Sequence, residues 1–472
     1  MLKKLVANRG FSLVLLSAAL LVAIPGVSSA QMATSEGDTL VLTWEKTWNL
    51  ALEKNETLQI SRNNALIAQQ RVNEAYSSAM PSVSLNGYFN HYFEVPQTIF
   101  TLPAAMTGTG SPLRIKTAFV SENNSGADIS LTQPLWLAGK IGLGLNAAKT
   151  YREMSGYQVE VSREDLKVQV VQIFYGCMIA DQGLVVSKEA LQQVKNLYQQ
   201  VQDMYSAGVA SEYDLIRAKV AVSNQKPAVF QMEAQRDLTY KALKNVLGLD
   251  VNQPIRLEGQ LEAEAVGPEY DFRTASAMAM NNRVELRQLE LQERLYEIQY
   301  KASARSWLWP NFLAQASWET SAQAQDMKIG KYEYLSGWSG TLVLQIPIFD
   351  GLASHWQAQQ AKVNMRNAKL QKAQLTRGIE LQVFEALRSY DQASQELEAA
   401  EEGLGQAEKA YSISETRYRQ GVGTQLETLD SQLQLRLSKT NLLQAKYNLL
   451  VAKANFDRAS GKGFKQIDRE KP

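Results

Sequence analysis

The chain of 472 residues holds one cysteine, Cys177, so it has no intramolecular disulfide framework and no cysteine cluster to bind a metal. No cysteine follows Ser28-Ser29-Ala30 either, which leaves no attachment point for a lipid there. Cys177 lies in the apolar stretch Val170 to Ile179 and reads as a packed helix residue. The only two histidines, His91 and His355, are far apart in the chain and offer neither a His-based metal site nor a catalytic triad. With no phosphate-cradling glycine loop as well, neither metal, cofactor nor enzymatic activity is expected. A formal net charge of +1 gives no reason to expect a nucleic-acid partner. Beyond the first thirty residues no uninterrupted apolar run reaches the roughly 20 residues a spanning helix needs, so any crossing of a membrane must be made by strands.

Those first thirty residues have the form of a secretory signal. Lys3, Lys4 and Arg9 precede an apolar segment from Phe11 to Ile24, and Ser28-Ser29-Ala30 supplies small residues for cleavage. The mature chain is expected to start at Gln31 and to be exported.

What is present is a repeat. Pro81, Pro134 and Gly208-Val209 recur as Pro310, Pro347 and Gly421-Val422, and the last two pairs are both separated by 213 residues. The halves are placed at 31–250 and 272–460, joined by a linker at 251–271 with Pro254 to Leu257 as a short strand, and followed by a loose polar tail at 461–472. Each half carries two segments of strand periodicity, at 81–91 and 127–135 and at 310–319 and 340–348. In the first of these, Val83, Leu85, Gly87 and Phe89 alternate with Ser84, Asn86, Tyr88 and Asn90. Trp136, Trp307 and Trp309 fall at the helix-proximal ends of these segments. Trp318 and Trp338 fall at or beyond the loop-proximal ends, giving two aromatic girdles. The polar loops Val95 to Gly126 and Ser321 to Gly337 would face outward, and the polar strand faces would line water.

Between the strands lie long proline-free stretches, Gly139 to Tyr205 and Leu352 to Tyr418, each spanning about 100 Å if helical throughout. Tyr390, Ala393, Leu397, Ala400 and Leu404 step by three and four, as a coiled-coil face does. Each long helix turns at its glycine and returns through a shorter one, and further helices precede the strands at about 43–79 and 272–307. Four strands cannot close a barrel, and an open edge in lipid leaves backbone groups unsatisfied, so the protein must oligomerise. Two copies give too narrow a barrel, whereas three give twelve strands and room for a pore. The alternative from another class is a non-porous periplasmic helical scaffold or adaptor, which would not need the strands.

The duplicated halves, Ala75-x-Ser77-x-x-x-Pro81 with Ala304-x-Ser306-x-x-x-Pro310, and Gln133 to Gly139 with Ile346 to Gly351 resemble the TolC-type outer membrane efflux proteins, the outer membrane factors. The turn Tyr205 to Leu215 and its copy Tyr418 to Asp430 carry the resemblance furthest. It implies a homotrimer in the cell outer membrane. A twelve-stranded transmembrane β-barrel would continue into a long α-helical barrel in the periplasm. Such a duct passively conducts what an inner-membrane RND, ABC or MFS transporter delivers through a periplasmic adaptor, the membrane fusion protein, in efflux or type I secretion. Outer-membrane lipid is the remaining partner.

The resemblance also implies sites. Gly208, Val209 and Ser211, with Gly421, Val422, Gly423 and Thr424, become the helix turns that meet the adaptor. Glu427 and Asp430 match lumen-facing acids at the narrowest point of the duct, and Asp214, Tyr418 and Arg419 belong to the contacts that hold it shut. Where some members carry a gating arginine two residues after the second tip glycine, this chain has Gly423. The family often has proline after the asparagine or arginine that opens a helix in each half. Here the sequence is Asn55-Glu56 and Arg283-Val284.

Overall fold

A computed structural model describes residues 39–103, 108, 112–307 and 309–463. The expected signal segment, and all of the expected tail after residue 463, lie outside them. The elements run β1 (Leu40–Leu42), α1 (Trp44–Lys54), α2 (Glu56–Ser77), β2 (Ser82–His91), β3 (Thr98–Leu102), β4 (Leu113–Thr117), β5 (Asn123–Leu137), α3 (Lys140–Ser206) and α4 (Glu212–Val246). The second half continues with β6 (Ile255–Leu257), α5 (Phe272–Asn282), α6 (Val284–Ala304), β7 (Asn311–Ala324), β8 (Leu335–Gln345), α7 (Ala353–Arg419) and α8 (Gln425–Ser460). Contacts divide the chain into a strand-bearing unit, Ala75–Ile141 with Arg305–Gly351, and a helical unit made of the remainder. Each unit draws on both halves of the sequence.

In the helical unit each half packs its own core. Leu42, Leu58, Leu166, Val170, Cys177, Leu243 and Leu247 close the first, and Ile379, Val383, Leu397, Leu449 and Phe456 the second. The two long helices, α3 and α7, each have 67 residues. α3 is apolar and long enough to cross a membrane on composition alone, yet Val170, Phe174 and Cys177 are buried within the chain. That burial pushes the Cys177 thiol up to about 12, so it is an unreactive packing residue. Pro227 sits inside α4 without ending it. The linker strand β6 pairs in parallel with β1, a three-residue strand that the sequence does not announce.

The helices before the strands are each divided in two, and no proline does it. Asn55 separates α1 from α2: its Oδ1 accepts from the Leu58 amide (3.0 Å) and its Nδ2 donates to the Val246 carbonyl (2.9 Å). One buried side chain thus caps α2 and ties it to the end of α4. Arg283 separates α5 from α6, with φ −67° and ψ 117°, and its buried side chain donates to Glu285 at the start of α6 and to Gln382 on α7. Since Glu56 is exposed at the first position of α2, where the amide has no helical partner, Glu56→Pro should change stability by less than about 0.5 kcal/mol. Gln59→Pro removes the Gln59 amide bond to the Asn55 carbonyl and should cost about 3 kcal/mol. Thermal unfolding followed by helical circular dichroism compares the two; equal losses would contradict this account of the break.

The strand-bearing unit holds an antiparallel sheet in the order β2-β5-β7-β8. Its register lines Leu85, Ile129, Trp318 and Trp338 across one face, with Val83, Leu131, Ala316 and Gly340 as the next row. The opposite face carries Asn86, Asp128 and Glu319 in one row and Ser84, Ser130, Ser317 and Ser339 in the next. Ser84 and Ser130 are 2.7 Å apart, as are Ser317 and Ser339, and Asn86 Nδ2 donates to Asp128 Oδ2 at 3.1 Å. The apolar face is uncovered in the single chain: Leu342 is 80% and Trp338 83% exposed. Polar cross-strand pairs on one side and bare apolar side chains on the other are the reverse of a water-soluble sheet on a core.

Two expectations need correcting here. The outer segments are not plain loops. β5 begins at Asn123, β3 and β4 form a hairpin inside 95–126, β7 extends to Ala324, and β8 begins at Leu335 and ends before Pro347. Consequently Trp318 and Trp338 are directly paired in mid-strand, with ring centroids 6.4 Å apart, and are not at the loop-proximal ends. The strands continue past this aromatic level because polar residues such as Thr320, Ser321 and Asn124 still complete the backbone ladder, which hydrophobic alternation does not report. At the other level Trp136 faces Phe312 across the sheet, Trp307 Nε1 donates to the Ile348 carbonyl (2.9 Å), and Arg305 lies over the Trp309 ring. Pro134, which cannot donate to the ladder, is absorbed by a register shift before Trp136.

Both strand-to-helix turns place two consecutive residues at positive φ: Ala138 (52°) with Gly139 (69°), and Gly351 (68°) with Leu352 (66°). The pairs are again 213 residues apart. The glycine occupies opposite members of the pair, so each turn holds one non-glycine residue at a cost of about 1–2 kcal/mol.

Candidate gate and helix tips

The two helix turns are built alike. At the first, Gly208 takes φ +78°, its amide donates to the Tyr205 carbonyl, and the Val209 amide reaches back to Met204 (both 2.9 Å). At the second, Gly421 at +76° repeats this with Tyr418 (3.1 Å), while Val422 reaches Arg417 (3.0 Å). Glycine is required because the reversal that satisfies the last helical carbonyls needs a left-handed residue.

A capping box then opens each return helix. Ser211 Oγ accepts from the Asp214 amide (3.1 Å) while Asp214 Oδ2 accepts from the Ser211 amide (3.2 Å). Thr424 Oγ1 accepts from the Glu427 amide (3.2 Å) and Glu427 Oε2 from the Thr424 amide (3.4 Å). Asp214 and Glu427 are therefore counterparts, 213 residues apart, and Glu427 is a cap as well as an exposed carboxylate. Asp430, one turn on, is exposed and on the same helix face as Glu427. Its counterpart in the first half is Arg217, so the two return helices carry opposite charges at that position. The repeat offset applied to Asp430 finds Arg217 directly; the resemblance alone does not draw attention to it.

Tyr418 lies inside the subunit, 8% exposed, packed with Leu197, Val201 and Ala218, and flanked by Leu215 and Leu429. Burial, aided by the charge on Asp214, raises its hydroxyl above the ordinary range and keeps it neutral. Gln425, another residue the sequence does not single out, donates through Nε2 to the Asp214 carbonyl (3.1 Å) and joins the two tips. Arg419 is exposed and lies 3.7 Å from Glu415 on its own helix. Gly423 is hemmed in: a Cβ there would sit 3.0 Å from both Arg417 Cβ and the Tyr418 amide nitrogen. Any side chain at that position, an arginine included, would require the last turn of α7 to give by a few tenths of an ångström. Among the described residues no group of three or more His, Cys, Asp or Glu side chains is placed to hold a metal ion.

The family model for outer membrane efflux proteins matches residues 47–249 and 275–462, most of the chain and both halves. The chain belongs to the outer membrane efflux protein family. No curated protein sequence matches it. Solved structures share the fold at low identity. The outer membrane protein VceC of Vibrio cholerae is 14% identical, with 88% of this chain and 95% of that one covered at a TM-score of 0.66. CusC is 14% identical over 88% and 91% at 0.69. The open MtrE outer membrane channel of Neisseria gonorrhoeae is 16% identical over 89% of each at 0.67. As an outer membrane efflux protein, the chain places its sheet in the outer membrane and its helices in the periplasm, and both fold and family are those of channels.

Proposed function

We propose that three copies form the exit duct of a tripartite efflux or type I secretion system, passively conducting what an inner-membrane pump hands over through a periplasmic adaptor. The observation that carries this is the open sheet with a bare apolar face. Among the described residues β2 and β8 each pair on one side only, so in lipid every copy must find another. Four strands per subunit make twelve in a trimer, with the serine and carboxylate rows facing the lumen.

The helices support the same assembly. Tyr213, Ile216, Val220, Phe230 and Leu238 form a stripe about 38 Å long on α4 at steps compatible with a coiled coil, and all are exposed in the single chain. A neighbouring subunit covering this stripe accounts for it. By family likeness, the two glycine tips of each subunit would then be offered to the adaptor, and Glu427 and Asp430 to the duct axis.

Mass in mild detergent and planar-bilayer conductance test the reading together. A trimeric mass with open-channel currents is expected. A monomeric mass with no conductance would favour the non-porous scaffold.

A further inference from the structure

The β3–β4 hairpin stands apart from the sheet, its two strands pairing with each other. Its register puts Phe100 opposite Ile115 and Leu102 opposite Leu113 on one face. On the other, Arg114 faces Thr101 and Lys116 faces Ile99. Arg114 and Lys116 are both exposed, about 7 Å apart along one strand, and neither forms an ion pair with another described residue. The arm also bears unusually bare rings: Phe93 is 98% and Phe119 70% exposed. Covering a side chain of that size is worth about 1.5–3 kcal/mol, so such a surface points to something that covers it.

The base of the arm is fixed. The Tyr92 amide donates to the Glu122 carbonyl (2.8 Å), His91 Nδ1 lies 2.8 Å from Asn123 Oδ1, and the Ser121 amide donates to Gln323 Oε1 (3.3 Å). Asn123 is fully buried there, and its Nδ2 donates to the Asp326 carbonyl (3.2 Å). The level of that base is set by the strands: β2 runs six residues past Leu85, and β7 six past Trp318, about 20 Å along the strand and so about 15 Å above the aromatic row at the usual barrel tilt. At that height a Gram-negative outer leaflet presents phosphates and sugar rings, not acyl chains.

We propose that the β3–β4 arm is a binding surface for the phosphorylated sugar headgroups of the glycolipid surrounding the barrel. Arg114 and Lys116 take the phosphates, by charge-assisted hydrogen bonds that an arginine can make bidentate. Phe93 and Phe119, the bare rings flanking the hairpin, lie against the C–H faces of the sugars. The arm is then a lipid anchor for the outer rim of the duct, held in place from the sheet. The inference rests on the outer-membrane placement of the sheet, which decides what surrounds the arm.

The test uses the full-length protein carrying Thr101→Cys, labelled with an environment-sensitive dye; the buried Cys177 thiol leaves no competing site. Labelled protein is placed in phosphatidylcholine nanodiscs, and a bisphosphorylated glucosamine glycolipid or its dephosphorylated form is titrated in. A saturable blue shift is expected with the phosphorylated form, at least about tenfold weaker with the dephosphorylated one. Arg114→Ala with Lys116→Ala should weaken the response by a similar factor, and the double glutamate variant should abolish it. Emission that ignores glycolipid, or a shift indifferent to both double variants, overturns the proposal; a second copy or another protein segment covering the arm would give that result. Conductance and mass are read on the same samples, so failure of this surface is distinguishable from failure of the channel reading.

Discussion

Arg283→Met should lower the stability of the helical unit by about 3–5 kcal/mol, read by chemical unfolding of the detergent-solubilised protein under helical circular dichroism. Arg283 is only 4% exposed, yet its guanidinium holds Glu285 bidentately (2.6 and 3.3 Å) and donates to Gln382 Oε1 (2.7 Å). Burial alone would raise the Glu285 carboxyl, but the hydrogen bonds and charge of Arg283 outweigh it and hold the group below the ordinary range. A carboxyl depressed on folding contributes stability that is present above its unfolded value and lost as pH falls through the folded one. The wild-type protein should therefore lose this contribution only in acid, below about pH 4.5. Without Arg283 the burial remains and its strongest compensation is gone, leaving a backbone hydrogen bond and Arg458, 3.9 Å away, so the variant should gain stability relative to wild type as pH falls. Arg283→Met with Glu285→Leu should recover most of the loss, because no buried charge is then left alone. A single variant with unchanged stability, or with the wild-type pH profile, contradicts the account.

Removing the tip carboxylates should have the largest effect on conduction. If the proposed trimer brings Glu427 and Asp430 of each subunit to its axis, six acids form a ring that would repel anions and attract cations. The capping geometry dictates how to test it. Alanine at 427 would also remove a helix cap worth about 1 kcal/mol, whereas glutamine can still fill the capping box. Glu427→Gln with Asp430→Asn should therefore keep the tip folded while lowering cation preference and weakening block by trivalent cations about tenfold or more. Unchanged selectivity and unchanged block in planar bilayers would remove these residues from the axis.

The sequence carries the long helices and the tips openly. Two proline-free stretches delimit α3 and α7, and Gly208 and Gly421 mark reversals that only a left-handed residue can make. The extent of the strands was hidden. Asn123, Asn124 and Ser125 are polar on both sides of the pleat, and past Ser321 the other face of β7 holds only the small Ala322 and Ala324, so hydrophobic alternation fades although the hydrogen-bond ladder goes on. β1 is too short for any periodicity. The helix breaks at Asn55 and Arg283 carry no backbone signal; they depend on buried side chains finding Val246 and Gln382, partners far away in sequence. At the candidate site, Glu427 and Asp430 stand out only through family likeness, while Tyr418 in its intrasubunit core and the Gln425 link to Asp214 required the packing.

The equal length of α3 and α7 makes the chain a ruler with two arms. Each arm counts 67 residues from a strained turn to a glycine tip, and just past the tips the two return helices are bonded through Gln425 and Asp214. A heptad lost from one arm alone would draw its tip back by about 10 Å and shear that bond. Insertions and deletions in these helices are thus tolerable only as matched pairs, so a duct of this design can change its reach only if both halves of the gene change together.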